Sequence, residues 1–183
     1  MPAETRARSL LPAPWEGFLA ELDEKLEFPV ELHCLGGFVL LVLHERPIQT
    51  ADLDTLAVIP NSASSLLEEL AGRGSPLHEK HRVYLQIVTV AEVPEDYEVR
   101  LIDLFPGRHG NLRLRALEAH DLALSKLVRN HPIDERDFAF LVEKGVINRK
   151  TLEERYRSEL RPNLANPERC DVTLRLWVES YLR

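Results

Sequence analysis

Two adjacent glycines, Gly36 and Gly37, constrain the fold of this chain more than any other feature. They follow the short segment 32–35 and open a run over 38–43 that is apolar on every side. Glycine suits tight turns in which the backbone approaches another backbone or a phosphate group. The pattern therefore predicts a short strand over 31–35 that turns sharply into a buried helix over 37–45, and Pro47 ends that helix.

Two carboxylates, Asp52 and Asp54, stand at the start of the next apolar run, which is predicted to be a strand over 53–59. Side chains two positions apart on a strand point to the same face, with Cα atoms about 7 Å apart. Carboxylates held side by side repel each other unless a cation lies between them. Hard oxygen ligands of this kind suit Mg²⁺ or Mn²⁺.

The order of these features resembles a known signature. A glycine pair, a helix and then Thr50-x-Asp52-x-Asp54 is similar to the motif of nucleotidyltransferases of the polymerase-beta-like superfamily. The closer resemblance is to small bacterial nucleotidyltransferases of the abortive-infection and toxin–antitoxin type. The resemblance implies that Asp52 and Asp54 are catalytic residues that hold the metal ions of a two-metal site.

A second stretch, 121–129 with Arg136-Asp137 downstream, is similar to the helical segment that follows the core in those families. With the first motif, the resemblance spans residues 30–142. It implies that Lys126 meets the triphosphate. The residues that it implies for nucleotide binding are Gly36, Gly37, Thr50, Lys126 and Arg129. Thr50 is also expected to support the turn before Asp52 by bonding to the backbone.

Each motif also has a purely structural interpretation. The glycines could form only a turn, and the two aspartates could only cap a strand. Lys126 and Arg129 are three residues apart and so share a helix face, where a solvated basic edge paired with Asp121 or Glu118 is the alternative. Asp137 could either position Lys126 or cap a helix.

The third carboxylate of the nucleotidyltransferase signature has no obvious counterpart. Nucleotidyltransferases of this superfamily usually supply it from a neighbouring strand, and the strand predicted over 83–88 offers Gln86 instead, on the side opposite its apolar residues. Asp96 and Asp103 fit the pattern less well. Gln86 at the third-ligand position puts catalysis in doubt more than nucleotide binding.

The basic residues Arg108, His109, Arg113 and Arg115 form a further cluster. They could contact a polynucleotide acceptor, but a solvated edge strand over 111–115 is favoured because aromatic residues are not interleaved with them. The net charge of −7 argues against broad attraction to nucleic acid.

The element order predicts an α/β (α+β) protein, with a small mixed sheet covered by helices and a helical C-terminal tail. We expect a flexible arm over 1–14, a nucleotidyltransferase-like core over 15–116 and a helical region over 117–183 that packs on the core, with a cleft between them. A strand is also predicted over 97–105. The tail should contain four amphipathic helices, which begin near 117, 134, 148 and 170.

The composition indicates the cellular compartment. Two cysteines, Cys34 and Cys170, make no disulfide framework, so a reducing cytoplasm is expected. The longest apolar run, 35–43, is too short to span a bilayer, and the N-terminus lacks the apolar region of a signal peptide.

These observations favour a cytoplasmic nucleotidyltransferase that binds a nucleoside triphosphate with Mg²⁺ or Mn²⁺. It would transfer a nucleoside monophosphate to a hydroxyl group and release pyrophosphate. The resemblance implies RNA or a partner protein as acceptor, and a homo-oligomer or a cognate partner is open. The alternatives are a catalytically weak or inactive nucleotide-binding module and an antitoxin-like subunit whose helical tail docks a partner.

Overall fold

The computed structural model describes residues 11–182. These residues form eight α-helices and five strands, joined in places by short 3₁₀ and π turns. The helices are α1 (Trp15–Lys25), α2 (Gly36–Leu43), α3 (Ser64–Ala71), α4 (Pro76–His81), α5 (Ala119–Arg129), α6 (Pro132–Glu143), α7 (Arg149–Arg155) and α8 (Pro167–Tyr181). The strands are β1 (Val30–Leu35), β2 (Asp52–Ile59), β3 (Tyr84–Ile87), β4 (Ile102–Leu104) and β5 (Leu112–Ala116).

The chain divides into two compact units. Of the described residues, the first unit comprises 11–90 together with Ile102–Ala116, and the second comprises Ala91–Leu101 together with 117–182. The sheet and α1–α4 therefore lie in the first unit, and α5–α8 lie in the second. Of the arm predicted over 1–14, residues 1–10 lie outside the described part of the chain, and Leu11 is buried.

The sheet of the first unit has the strand order β3-β2-β1-β5-β4. Its pairing is mixed, because β1 is antiparallel to β2 but parallel to β5. β2 and β3 are parallel, and β4 and β5 are antiparallel. The predicted mixed sheet covered by helices is confirmed.

Two strand predictions are wrong in detail. The strand expected over 111–115 is not an edge, because β4 pairs with its outer side. The strand expected over 97–105 is reduced to Ile102–Leu104, and a 3₁₀ turn occupies Tyr97–Arg100. This turn belongs to the second unit, where the Arg100 guanidinium donates to Asp121 and Glu159. These ion pairs outweigh the local strand propensity.

Each unit has its own aromatic and aliphatic core. In the first unit, Trp15, Phe18, Leu19 and Leu22 of α1 are buried, and the Trp15 ring lies 4.8 Å from the Phe38 ring of α2. Residues 38–43 of α2 are buried on every side, as their composition predicts. In the second unit, Phe138 of α6 packs on Trp177 of α8 at 5.0 Å between ring centroids. The helices within 11–182 include none long and apolar enough to cross a membrane.

Candidate functional site

The glycine pair packs directly against the two residues that its motif places nearby. Gly36 has a φ of +76°, and a Cβ added there would lie 2.4 Å from Oδ2 of Asp54. A Cβ on Gly37 would lie 3.1 Å from Oγ1 of Thr50. Real Cβ atoms essentially never come as close as 2.4 Å, and positive φ strains other residues. The turn from β1 into α2 is therefore built to let the backbone touch the carboxylate.

Asp52 and Asp54 occupy the first and third positions of β2, and both are half-buried, whereas Leu53 between them is buried. Their side chains therefore share one face of the sheet. The Thr50 hydroxyl donates to Oδ1 of Asp52 at 2.7 Å and lies 3.3 Å from the Asp52 carbonyl oxygen. Thr50 thus orients the Asp52 carboxylate and also lies against the backbone carbonyl group of Asp52.

Gln86 lies beside Asp54. The parallel pairing of β2 with β3 sets Asp54 against Gln86 and Asp52 against Tyr84. Neighbours in register point to the same face of a sheet, and Gln86 is exposed. Gln86 therefore shares a face of the sheet with the carboxylate pair, on the strand next to β2. That it takes the position of a third metal ligand stays a prediction.

The donor set of this site suits a hard divalent cation. Two carboxylates and one amide supply oxygen ligands, and Mg²⁺ commonly takes only one or two protein carboxylates and completes its shell with water and substrate phosphates. Within residues 11–182, no three His, Cys, Asp or Glu residues are grouped so that they could hold a metal ion. The cation would therefore depend on Asp52 and Asp54, with Gln86 as a neutral third donor.

Asp103 cannot replace Gln86. It lies on β4, three strands from β2, which is about 14 Å across the sheet. Its carboxylate is bound by Arg113 at 3.0 Å and by Arg115 at 3.1 Å. Glu31 binds the same two arginines. These two basic residues of the predicted cluster are thus already matched by acids.

Lys126 and Arg129 lie on α5 in the second unit. The Lys126 side chain is only 4% exposed, and its ammonium pairs with Asp137 and lies 3.6 Å from Asp134. Arg129 donates to Asp134 through Nε at 2.8 Å. The interpretation of Lys126 as a solvated edge paired with Asp121 or Glu118 is wrong, because the lysine is buried against α6. Its contact with a triphosphate stays a prediction.

Of the two roles considered for Asp137, the structure supports the pairing with Lys126. The N-terminus of α6 is capped by others, namely His131 and Asp134, in a capping box. Burial alone would raise the pKa of Asp134. Hydrogen bonds from Arg129 and from the His131 backbone, with the charges of Lys126 and Arg129, nevertheless hold that pKa below its usual range.

One residue that shares a cavity with Thr50 escaped the sequence analysis. Arg82 has a φ of +62°, caps the end of α4 and, with Thr50, lines a cavity of the first unit. The available signal was its position two residues before the strand that carries Gln86, but a lone arginine in a turn is not distinctive without the fold.

A mixed sheet, a glycine turn and a paired Asp-x-Asp on the adjacent strand define a nucleotidyltransferase-like protein of the α/β class. The chain belongs to the family described as nucleotidyltransferases of unknown function (DUF6036), whose model matches residues 18–179. Neither the curated proteins nor the solved structures gave a match. The family implies a nucleotide substrate.

Proposed function

We propose that this protein transfers a nucleoside monophosphate from a nucleoside triphosphate to a hydroxyl acceptor with the help of divalent cations. The observation that carries the proposal is the contact of the glycine turn with the carboxylate pair: Gly36 leaves no room for a Cβ beside Asp54. The turn thus brings the backbone against Asp54, one of two carboxylates on the same face of the sheet. A close approach of backbone to a carboxylate pair suits a metal-bound phosphate group.

In the transfer, the acceptor oxygen forms a bond to the α-phosphorus while the bond to the β-phosphate breaks. Pyrophosphate leaves with the bonding electrons, and the hydroxyl proton passes to water. Asp52 and Asp54 would hold Mg²⁺ or Mn²⁺, which when bound neutralises phosphate charge. Thr50 keeps the Asp52 carboxylate oriented, and the backbone at Gly36 and Gly37 lets phosphate approach.

A second function is favoured by one observation, the neutral Gln86 beside Asp54. Two divalent cations carry four positive charges, and two aspartates cancel only half of them. The triphosphate can hold one cation with its own oxygens, but the cation that would activate the acceptor hydroxyl has no such help. We therefore expect nearly normal triphosphate binding with slow transfer. If the transfer rate falls to zero, the protein is an inactive nucleotide-binding module.

The resemblance to toxin–antitoxin and abortive-infection nucleotidyltransferases makes RNA or a partner protein the proposed acceptor. The same resemblance makes Lys126 a proposed contact of the triphosphate. Because Lys126 is buried in an ion pair with Asp137, this role would require the lysine to exchange the carboxylate for a phosphate oxygen.

The proposal is tested by pyrophosphate release from wild type and Gln86→Asp over a series of Mg²⁺ and Mn²⁺ concentrations, with RNA and protein acceptors. We expect Gln86→Asp to raise the transfer rate, or create it, with little change in triphosphate affinity. If the wild type turns over robustly and the substitution leaves the rate unchanged, Gln86 is not at the third-ligand position.

The control is the double variant Asp52→Asn/Asp54→Asn. Saturating Mg²⁺ with nucleoside triphosphate should raise the melting temperature of the wild type, because ligands that bind only the native state stabilise it. The double variant should lose this shift. Identical melting curves of wild type with and without Mg²⁺ and triphosphate would contradict the site itself.

A further inference from the structure

A cavity of about 420 Å³ lies within the second unit, between α7, α8 and the short turns that join them. Its described lining comes from residues 149–179. Four arginines contribute to this lining, namely Arg149, Arg157, Arg161 and Arg175. Cavities of about 300–1,000 Å³ are typical of sites for small organic ligands. Guanidinium groups therefore set the chemical character of this candidate site.

One side of the cavity is shaped by a single π turn, Tyr156–Leu160, which follows α7. Its hydrogen bond runs from the Arg161 backbone N–H to the carbonyl oxygen of Tyr156, five residues back. The Tyr156 hydroxyl donates to Asp171 of α8 at 2.7 Å, and Nε of Arg161 donates to the same carboxylate at 2.9 Å. Single π turns are rare and are found frequently at functional sites.

Arginines outnumber acids in the lining of this cavity. Glu153 is shared by Arg149, which donates to it at 2.8 Å, and by Arg157, which donates to it at 2.9 Å. Arg175 is exposed and, within residues 11–182, makes neither an ion pair nor a hydrogen bond. With Glu179 included, four guanidinium groups face three carboxylates, so the lining carries a net charge of +1 in a chain whose net charge is −7. The cavity therefore suits an anion.

The guanidinium groups also indicate which anion the cavity suits. A guanidinium presents its N–H donors in a planar fork that matches phosphate oxygens two at a time. A phosphomonoester has three terminal oxygens and a charge of about −1.5 to −2 at pH 7, so it can meet several guanidinium groups at once, whereas a carboxylate offers two oxygens. The buried side chains of Leu174 and Val178 form an apolar part of the wall, which suits a carbon skeleton attached to the phosphate.

We propose that this cavity binds the phosphate group of a small organic phosphomonoester. Arg175 supplies the uncommitted guanidinium. Arg157 is able to turn to the phosphate as well, because Arg149 continues to pair with Glu153. The organic part of the ligand lies along the apolar wall.

The cavity belongs to the second unit, and the carboxylate pair belongs to the first. The proposal therefore does not rest on the proposed transfer function. Accordingly, the double variant Asp52→Asn/Asp54→Asn should bind the phosphomonoester as the wild type does.

The test uses phenyl phosphate, which joins a phosphomonoester to an apolar ring. Its affinity is measured by calorimetric titration without Mg²⁺ at low and constant ionic strength, because salt screens contacts between exposed charges. Arg175→Gln should weaken binding about tenfold, since it removes a charge-assisted hydrogen bond to the phosphate. Lys25→Gln, which removes an exposed lysine of α1 without an ion pair or hydrogen bond within 11–182, should leave the affinity unchanged.

Arg157→Gln provides a second variant, in which Glu153 keeps its pairing with Arg149. It should also weaken binding, and Arg157→Gln/Arg175→Gln should weaken it more than either single variant. Because both side chains are exposed, urea denaturation should show wild-type stability for the two single variants. Benzoate, which carries a carboxylate on the same ring, should bind the wild type more weakly than phenyl phosphate.

Unchanged affinity for phenyl phosphate in Arg157→Gln/Arg175→Gln would overturn the site. Loss of binding in Asp52→Asn/Asp54→Asn would overturn it as well, because the phosphate would then be bound at the carboxylate pair. Benzoate binding as tight as that of phenyl phosphate would overturn the assignment to phosphate. If phenyl phosphate does not bind but a polyglutamate peptide does, and Arg175→Gln abolishes the peptide binding, the arginines recognise an acidic protein segment and the proposal is wrong.

Discussion

At the scale of single residues, Gly36 shows how a glycine can be required for two separate reasons. Its φ of +76° is strained for any residue with a Cβ. Oδ2 of Asp54 also lies only 2.4 Å from the position that this Cβ would take. Gly74 has the first property without the second, since its φ is +86° and its Cβ position has nothing within 4 Å. Substitutions at the two glycines can therefore distinguish the effect of backbone strain from the effect of contact with the Asp54 carboxylate.

We predict that Gly36→Ala and Gly74→Ala each lower the free energy of unfolding by about 1–2 kcal/mol, because alanine disfavours the left-handed conformation. Only Gly36→Ala should also weaken binding of Mg²⁺ with triphosphate, since the Asp54 carboxylate must move. Urea denaturation gives the first quantity and calorimetric titration the second. Equal nucleotide affinity in the two variants would mean that Asp54 is not a ligand.

At the scale of elements, the pairing of α5 with α6 depends on a buried ion pair. The solvated basic edge that the sequence leaves open as the alternative for Lys126 is excluded by the burial of this lysine against Asp134 and Asp137. Removal of one partner from a buried pair leaves an uncompensated charge, which is costly. The lysine is thus expected to matter for the stability of the second unit whether or not it meets phosphate.

We predict that Lys126→Met destabilises the protein by about 3–5 kcal/mol in urea denaturation. Lys150→Met, at an exposed position of α7, should stay within about 0.5 kcal/mol of wild type. The double variant Lys126→Met/Asp137→Leu should recover part of the loss, because it removes the orphaned charge. A loss below about 1 kcal/mol for Lys126→Met, with triphosphate binding abolished, would assign the lysine to the ligand instead.

At the scale of the whole molecule, carboxylates in both units have pKa values below their usual range. In the first unit, hydrogen bonds from Lys80 and His81 hold the pKa of Glu21 at about 2. In the second unit, burial would raise the pKa of Glu118, but a hydrogen bond from His120 and the charges of His120 and Arg155 lower it to about 2. The two units should therefore both be sensitive to acid.

The geometry around Glu118 explains the shift. Nε2 of His120 accepts the Asn148 backbone N–H at 3.0 Å, so in the neutral ring Nδ1 carries the proton and donates to Glu118 at 2.8 Å. Arg155 pairs with the other oxygen of Glu118. Because the folded pKa lies below the ordinary value of 4.5, the ionised carboxylate stabilises the fold above that pH, and this contribution is lost as the pH falls towards 2.

We predict that Glu118→Gln lowers the free energy of unfolding at pH 7 by about 3 kcal/mol and makes it less dependent on pH between about 4.5 and 2. Glu143→Gln, at an exposed position of α6, should leave both the stability and its pH dependence unchanged. Urea denaturation at a series of pH values measures both. A Glu118→Gln variant with the wild-type pH dependence would show that this carboxylate does not contribute to acid lability.

The sequence by itself determined the local elements and the order of the motif. The all-apolar run after the glycine pair predicts the buried α2. The glycine pair with Asp52 and Asp54 predicts a strand, a turn and a carboxylate pair on one face. These features depend on contacts between residues close in the chain and on backbone preferences that each residue carries with it. For the same reason the fold class and the helical tail could be predicted from sequence.

Only the tertiary structure decided which distant residues meet. Strand order places β5 inside the sheet, and register places Gln86 beside Asp54. The folded chain buries Lys126, and it decides between the two roles that the sequence leaves open for Asp137. Ion pairs with the remote acids Asp121 and Glu159 hold Arg100 in a turn. No local pattern encodes such partners, because pairing across the sheet and burial of charge depend on the packing of the whole unit. The glycine pair predicts a turn, but only the folded chain shows the carboxylate that requires it.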